Sequence, residues 1–347
     1  MKKVLAITTF MLPGNPFDAR FRRGNLEACR RAMRENFPEA RHVVVEQFGD
    51  MERGPGANPD ISMFDPGPFR KTALLNRAVR DNPGYDIYVM VDADVFVTRP
   101  LAEYVLENAG DNRLVFPYGD TVYMDMLDTR KFLSEGTLWP GEKNHGVIIR
   151  RQTGLCNAFT RATFDAVGGF DEAFSGWGAE DDAFMFKFRR IGAEIIRNPD
   201  RTAVAYHMFH PVINTETYTR GPEYMRNRVY CACIRRMDGE DFSRYLAGTV
   251  TLDEMVKKYR AMGRLEVTVE WYVNKSTFLH FDSTIYDIDR SGGLCMDKIF
   301  EAIRREDGNE GIVDFTENVL RKVSGMPPDI MADIERWYGE ARRCLST

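Results

Sequence analysis

The chain has 347 residues, is 44% hydrophobic and 29% charged, and carries a formal net charge of -5. That length suits one large domain or a catalytic domain with an appendage, and without a basic excess to neutralise a phosphate polymer the composition excludes duplex nucleic acid as an expected partner. The six cysteines are scattered, and Cys231 and Cys233 form a C-x-C without a second pair, so neither a structural zinc site nor a disulfide framework is expected.

The start, "MKKVLAITTFMLPGNP", is apolar only from Val4 to Ile7 and from Phe10 to Leu12 before Pro13. A secretory core segment needs roughly 7 to 15 apolar residues, and no later stretch approaches the roughly 20 of a membrane span. The expectation is a cytoplasmic protein, or a soluble piece of something anchored.

In chain order, "KKVLAITTF" reads as a strand. In "RFRRGNLEACRRAMREN", Leu26, Cys29 and Met33 recur at helical spacing. "ARHVVVEQF" reads as a second buried strand, "FRKTALLNRAVRDNP" as a helix ending near Pro83, and "YDIYVMVDADVFV" as a third strand. This alternation predicts an α/β fold with a mostly parallel sheet, whose ligands sit at the carboxyl ends of the strands. Short strands follow in "LVFPYG" and "HGVIIRR", then a glycine-rich stretch, a helix to about Phe188, and the strand "RTAVAYHMFHP". Beyond about Arg220 the spacing turns helical in "YMRNRVYCACIRRM", "TLDEMVKKYRAMG", "CMDKIFEAIRRE" and "IMADIERWYGEARRCL". The expected division is therefore a catalytic domain over 1–219, with halves at about 1–100 and 101–219, and a mainly helical region over 220–347.

Three places carry chemistry. Asp92 and Asp94 end a strongly apolar run, and strand alternation directs both carboxylates to one side, where they suit a divalent cation that also takes phosphate oxygens. A second D-x-D, Asp287 to Asp289, follows a short mixed run and reads as a surface turn. In "GGFDEAFSGWGAEDDAF", Gly176 and Gly178 permit close approach of a ligand and leave Trp177 as a flat apolar platform suited to a sugar face. Glu180, Asp181 and Asp182 then begin a helix, where plain matching of the helix dipole accounts for one or two of them. Consecutive helical positions point about 100° apart, so one carboxylate can serve as a base to a hydroxyl while its neighbour orients something else. The helix terminus should lower such a base's pKa, and desolvation would have to offset that. Lastly, "AVAYHMFHP" offers His207 at a strand end and His210 three residues on. Imidazole favours Mn²⁺ over Mg²⁺ as the bound ion. A strand turns one of the two histidines elsewhere, so His207 is the expected ligand and His210 the alternative.

In this order the pieces resemble the GT-A fold glycosyltransferases, above all the galactosyltransferase-type group with its "GGF…GWGxED" signature. The resemblance covers about residues 1–215 through "VVVEQ", "FRKTALLNRAV", "VDADV", "TGLCNAFTRATFDAVGGFDEAFSGWGAEDDAF" and "YHMFH". It implies Asp94 and His207 as metal ligands, with Asp92 near the ribose or the metal's waters. It further implies Asp181 as general base and Glu180 as its acceptor-hydroxyl partner, with Trp177, Gly178 and Asp182 on the acceptor side. Lys71 and Asn76 fall in a segment near the nucleotide in such folds, and Glu46 ends a strand that reads the base. Ala179 stands where the group usually has a second glycine.

The function expected is metal-dependent, inverting sugar transfer from a nucleotide-diphosphate donor, a UDP-sugar above others, to a hydroxyl on a glycan, lipid-linked or protein acceptor, as in polysaccharide biosynthesis. A sugar-nucleotide pyrophosphorylase ranks second, because the first strand lacks the glycine-rich phosphate loop that such an enzyme needs. A non-enzymatic carbohydrate-binding protein ranks third. Trp139 to Gly146 reads as a lid, and the helices after residue 220 as a surface for acceptor, membrane or a second subunit.

Overall fold

The computed structural model describes residues 2–14, 16–136, 147–150, 152–210, 222–262, 264–265, 300–301, 304, 308–313, 316–317 and 328–346. The expected lid at 139–146 and the second D-x-D at 287–289 lie outside these residues. Along the chain run β1 (Val4–Met11), α1 (Pro16–Asn36), β2 (Ala40–Phe48), β3 (Ile61–Phe64), α2 (Lys71–Asp81), β4 (Ile87–Val91) and β5 (Val95–Phe96). Then come α3 (Arg99–Asn108), β6 (Arg113–Phe116), β7 (Asp120–Tyr123), α4 (Met126–Glu135), β8 (Val147–Arg150), β9 (Cys156–Thr160), α5 (Arg161–Ala166), α6 (Glu180–Arg190), β10 (Glu194–Arg197) and β11 (Val204–His207). Beyond them, among the described residues, lie α7 (Pro222–Arg236), α8 (Gly239–Leu246), α9 (Leu252–Ala261) and α10 (Pro328–Ser346).

The central sheet has seven strands in the order β10-β6-β9-β4-β1-β2-β3. It is parallel throughout except for β9, which runs antiparallel between β4 and β6. This is the mixed α/β fold with a mostly parallel sheet that the sequence implies. β4 is buried along its whole length, as is β1 but for its last residue, which is why both read as unbroken apolar runs. A second sheet has four strands in the order β5-β11-β7-β8.

The expected third strand is two. β4 stops at Val91, a turn closed by the Val95 amide donating to the Asp92 carbonyl at 3.1 Å follows, and β5 restarts in the other sheet. Asp92 and Asp94 therefore occupy a turn, and the strand-alternation argument for their direction does not apply.

An aromatic cluster anchors the glycine-rich segment. Phe170 stacks on Phe184 with centroids 3.8 Å apart, and Phe159 contacts Phe164, Phe170, Phe184 and Phe188. Gly169 has φ 65°, and a Cβ there would lie 2.9 Å from the Phe164 ring and from Asn76 Oδ1, so no side chain fits. α6 has acidic residues in its first turn and Lys187, Arg189 and Arg190 in its last, matching the helix dipole at both ends.

The chain divides into two compact units, Met1–Tyr259 and Arg260–Thr347. α7 belongs to the first unit because it packs on α6: the Arg190 Nη1 donates to the Arg235 carbonyl at 3.3 Å, and Arg235 sits over the Phe186 ring. In the second unit Phe300 stacks on Trp337 of α10, with the Arg304 guanidinium 4.4 Å from the indole centroid. Among the described residues no helix is long and apolar enough to cross a membrane. Cys29, Cys156, Cys231, Cys233 and Cys344 are free thiols.

His42 on β2 lies 2.9 Å from the Thr8 hydroxyl through Nε2. Burial first, then the nearby Arg30, lowers its pKa from 6.5 to about 4. Between those values the unfolded chain binds the proton and the folded chain does not, so stability falls as pH drops through that window. Urea denaturation is expected to show the wild type losing about 3 kcal/mol more than His42→Gln between pH 7 and pH 4; equal losses would contradict this burial effect.

Candidate active site

The turn between β4 and β5 holds two carboxylates with different partners. Asp94, 6% exposed, lies 3.6 Å from His207 Nε2 through Oδ1 and 3.2 Å from His210 Nε2 through Oδ2, and Arg22 Nη1 of α1 donates to Oδ2 at 3.4 Å. Sheet pairing explains the meeting. β5 and β11 are antiparallel with Val95 opposite His207, which sets Asp94 beside the end of β11. The Met208 amide then donates to the Asp94 carbonyl at 2.7 Å, and the Met124 amide to the His207 carbonyl at 2.8 Å. Tyr123 of β7 stacks on the His207 ring with centroids 4.4 Å apart, fixing its plane.

Both histidines reach Asp94, contrary to the expectation that one would turn away. β11 ends at His207, and beyond it the Phe209 amide donates to Thr129 Oγ1 while Asn25 Nδ2 donates to the Phe209 carbonyl. That path returns His210 to the same carboxylate.

Burial alone would raise the Asp94 pKa, but His207, His210 and Arg22 outweigh it and hold the carboxyl below the usual range. Burial pushes His207 down despite the attraction of Asp94, which favours the neutral imidazole that a metal needs. One ligand atom from each of Asp94, His207 and His210 lies within 4.8 Å of the others, a group that can hold a divalent metal. One carboxylate and two imidazoles are a borderline donor set, which fits Mn²⁺ better than Mg²⁺. Asp92 is not part of this group.

Asp92 faces a second cluster. Lys71, at the start of α2 and 9% exposed, places its Nζ 3.0 Å from Asp92 Oδ1, 3.3 Å from Glu180 Oε1 and 2.9 Å from Asp181 Oδ2. The other Asp92 oxygen accepts from the Leu155 amide at 3.1 Å, and the Asp92 amide donates back to the Leu155 carbonyl. Leu155 carries φ 69°, a left-handed conformation held between these bonds. Next to it Gly154 has no room for a side chain, since a Cβ would lie 2.7 Å from Asp181 Oδ2.

Burial raises the Asp181 pKa well above the usual carboxylate value, Lys71 opposes, and the charges of Glu180 and Asp92 add to the rise. The helix-terminus effect expected from the sequence is thus outweighed. Asp181 Oδ1 is buried and has no hydrogen-bond partner.

The remaining expected residues are placed as follows. Trp177 is 37% exposed and stacks on Tyr224 of α7 at 5.3 Å. Gly178 has φ 98°, and a Cβ there would lie 2.6 Å from the Tyr224 ring, so its glycine is explained by packing. Asp182 is buried, accepting from Thr153 Oγ1 at 2.6 Å with Arg228 Nη1 at 3.6 Å. The Asn76 side-chain amide bonds to Phe170 and Glu172 of the glycine-rich segment. The Glu46 oxygens accept from the Gly56 and Ala57 amides at 2.9 and 2.8 Å and so anchor that loop.

Arg22, Gly154, Leu155, Tyr224, Asn227 and Arg228 escaped the sequence reading. Asn227 Nδ2 donates to the Ser175 carbonyl at 2.9 Å, so α7 supports the Trp177 loop from behind. The one signal available was the glycine in "TGLC", which precedes the left-handed Leu155.

Residues 148–211 match the family described as the N-terminal domain of galactosyltransferase. That span contains Gly154, Trp177, the acidic run and both histidines, so the resemblance seen in the sequence holds over this segment. No curated protein matches the chain. Among solved structures the chain is similar to GalNAc-T7 with UDP, GalNAc and Mn²⁺, at 11% identity and TM-score 0.45, covering 76% of this chain and 54% of that one. The chain thus spans about half the length of that relative. It is also similar to the catalytic domain of Drosophila β1,4-galactosyltransferase 7 with xylobiose, at 17% identity, TM-score 0.36, and coverage of 63% and 80%. A mutant of the latter with manganese, UDP-Gal and xylobiose gives 15% identity, TM-score 0.36, and coverage of 72% and 83%.

Calorimetric titration with Mn²⁺ is expected to show Asp94→Asn, His207→Ala and His210→Ala each weakening binding at least about tenfold, and Asp92→Asn weakening it less than Asp94→Asn. Asp92→Asn as damaging as Asp94→Asn would return Asp92 to the ligand set.

Proposed function

We propose that the protein is a metal-dependent glycosyltransferase that moves a sugar from a nucleotide-diphosphate donor, a UDP-sugar, to an acceptor hydroxyl with inversion. The observation that carries this reading is the single turn Asp92–Asp94, which engages a metal-binding group on one side and a buried lysine–carboxylate cluster on the other. Cation chemistry and proton removal thereby stand next to each other. The match of residues 148–211 to a galactosyltransferase family supports sugar transfer in particular.

Asp94, His207 and His210 are the residues that would hold the metal. When bound, the metal supplies a positive charge against which a leaving nucleoside diphosphate is stabilised. Asp181 is the proposed base. Its unpartnered Oδ1 takes the proton of the acceptor hydroxyl as that oxygen bonds to the anomeric carbon, and the bond from that carbon to the diphosphate oxygen breaks with its electron pair leaving on the diphosphate. A carboxylate with an ordinary pKa is a weak base at neutral pH, and burial beside Glu180 and Asp92 makes Asp181 a stronger one. Trp177, the exposed ring at the edge of this cluster's helix, offers the face on which an acceptor sugar packs. A glycan, lipid-linked or protein-borne hydroxyl is the proposed acceptor class.

The test is Mn²⁺-dependent UDP release from a panel of UDP-sugars. The reading expects activity with at least one of them, a loss of roughly 10²- to 10⁴-fold in Asp181→Asn, and Mn²⁺-supported UDP binding that stays within about threefold of wild type. Near-normal turnover in Asp181→Asn removes the assigned base. No turnover with any donor, or pyrophosphate release from a nucleoside triphosphate, overturns the reading as a whole.

A further inference from the structure

The sequence places Lys71 at the nucleotide, but its surroundings assign it elsewhere. An ammonium has three N–H donors and no more. Lys71 Nζ has three carboxylate partners within 3.3 Å, one oxygen each from Asp92, Glu180 and Asp181. The contact with Asp181 is a hydrogen bond and those with Asp92 and Glu180 are ion pairs, so the ammonium charge is balanced by three carboxylates of its own fold.

We propose that Lys71 is a positioning residue for the base: it fixes Asp181 through Oδ2 and so leaves Oδ1 as the oxygen that meets the acceptor hydroxyl. This rests on the sugar-transfer reading above. Two observations beyond the ion pairs support it. First, the two oxygens of Asp181 differ in the required way, Oδ2 accepting from Lys71 at 2.9 Å and Oδ1 being buried without a partner. Second, Lys71 itself is rigidly held. Gln47 of β2, fully buried, lies 3.1 Å through Nε2 from the carbonyls of Asp65, Gly67 and Pro68, and its Oε1 accepts from the Arg70 amide at 2.7 Å. This ties the chain immediately before Lys71 to the central sheet.

The same helix holds the segment that leads to Asp181. Thr72 Oγ1 donates to the Phe174 carbonyl, Asn76 Nδ2 to the Phe170 carbonyl, and the Gly176 amide to the Phe69 carbonyl at 2.8 Å. Lysine and base therefore share one frame. Gly154 leaves the space this arrangement needs, since a Cβ there would lie 2.7 Å from Oδ2, the same oxygen that Lys71 holds.

The experiment is a double-mutant cycle on the full chain, read with Mn²⁺ and whichever UDP-sugar the wild type hydrolyses fastest, water serving as acceptor. Lys71→Met is expected to lower kcat about 100-fold while UDP binding in Mn²⁺ stays within about threefold, since a base displaced by an ångström costs on that order. In the Asp181→Asn background the same change is expected to cost less than about threefold more, because a residue that acts through the base has nothing left to position. Lys71→Arg, which keeps the charge, is expected to recover most of the loss. Where Lys71→Met does not fold, Lys71→Gln takes its place in the cycle. Multiplicative losses in the double variant, or UDP binding weakened tenfold or more with kcat retained, overturns the proposal and restores Lys71 to the nucleotide. An active wild type with either of those outcomes leaves sugar transfer standing; a wild type inert toward every donor removes both.

Discussion

The antiparallel pairing of two very short strands, with Val95 of β5 opposite His207 of β11, is the constraint on which the site depends. β5 has only two residues, yet it begins immediately after Asp94, and β11 ends on the histidine. Their pairing converts a separation of more than a hundred residues in sequence into ligand atoms within 4.8 Å. β4 in the central sheet delivers the other end of the same turn, so Asp92 is fixed by Leu155 and Lys71 while Asp94 is fixed by the second sheet. The two sheets meet chemically at three residues.

A second frame holds the acidic helix. α2 binds the glycine-rich segment through Thr72 and Asn76, α7 binds it through Asn227 and Arg228, and the Phe170–Phe184 stack fills the space beneath. Buried polar groups of this kind are costly unless satisfied, and here nearly all of them end on the backbone or side chains of residues 169–182. Asp181 Oδ1 has no hydrogen-bond partner, while Asp182 next to it accepts from Thr153 and pairs with Arg228.

β1, β2 and β4 were legible because buried parallel strands are continuous apolar runs; β2 has the same bounds as its sequence run, Ala40 to Phe48. β7 and β9, "DTVY" and "CNAFT", were not, being short, polar at their ends and without alternation. The D-x-D motif was legible as residue types, but its geometry was misread because "VMVDADVFV" looks like one strand when a turn divides it. His210 was undervalued for a related reason, since a two-residue period was extended past the point where β11 stops. The intramolecular partners of Glu46, Asn76 and Asp182 were not legible, because a sequence does not reveal which groups a carboxylate or amide already serves. The change of character near residue 220 is real at the level of helices, yet α7 packs on α6 and its Tyr224 lies against Gly178, a contact no local pattern announces.

The central claim is that one carboxylate and two imidazoles form a single cation site. Pulsed electron paramagnetic resonance of the Mn²⁺-loaded protein tests it most directly, because directly bound imidazole nitrogens couple to the electron spin. The structure predicts nitrogen couplings from two histidines, with one set lost in each of His207→Ala and His210→Ala. A spectrum without nitrogen coupling, or one that neither substitution alters, would place the metal elsewhere and contradict the site.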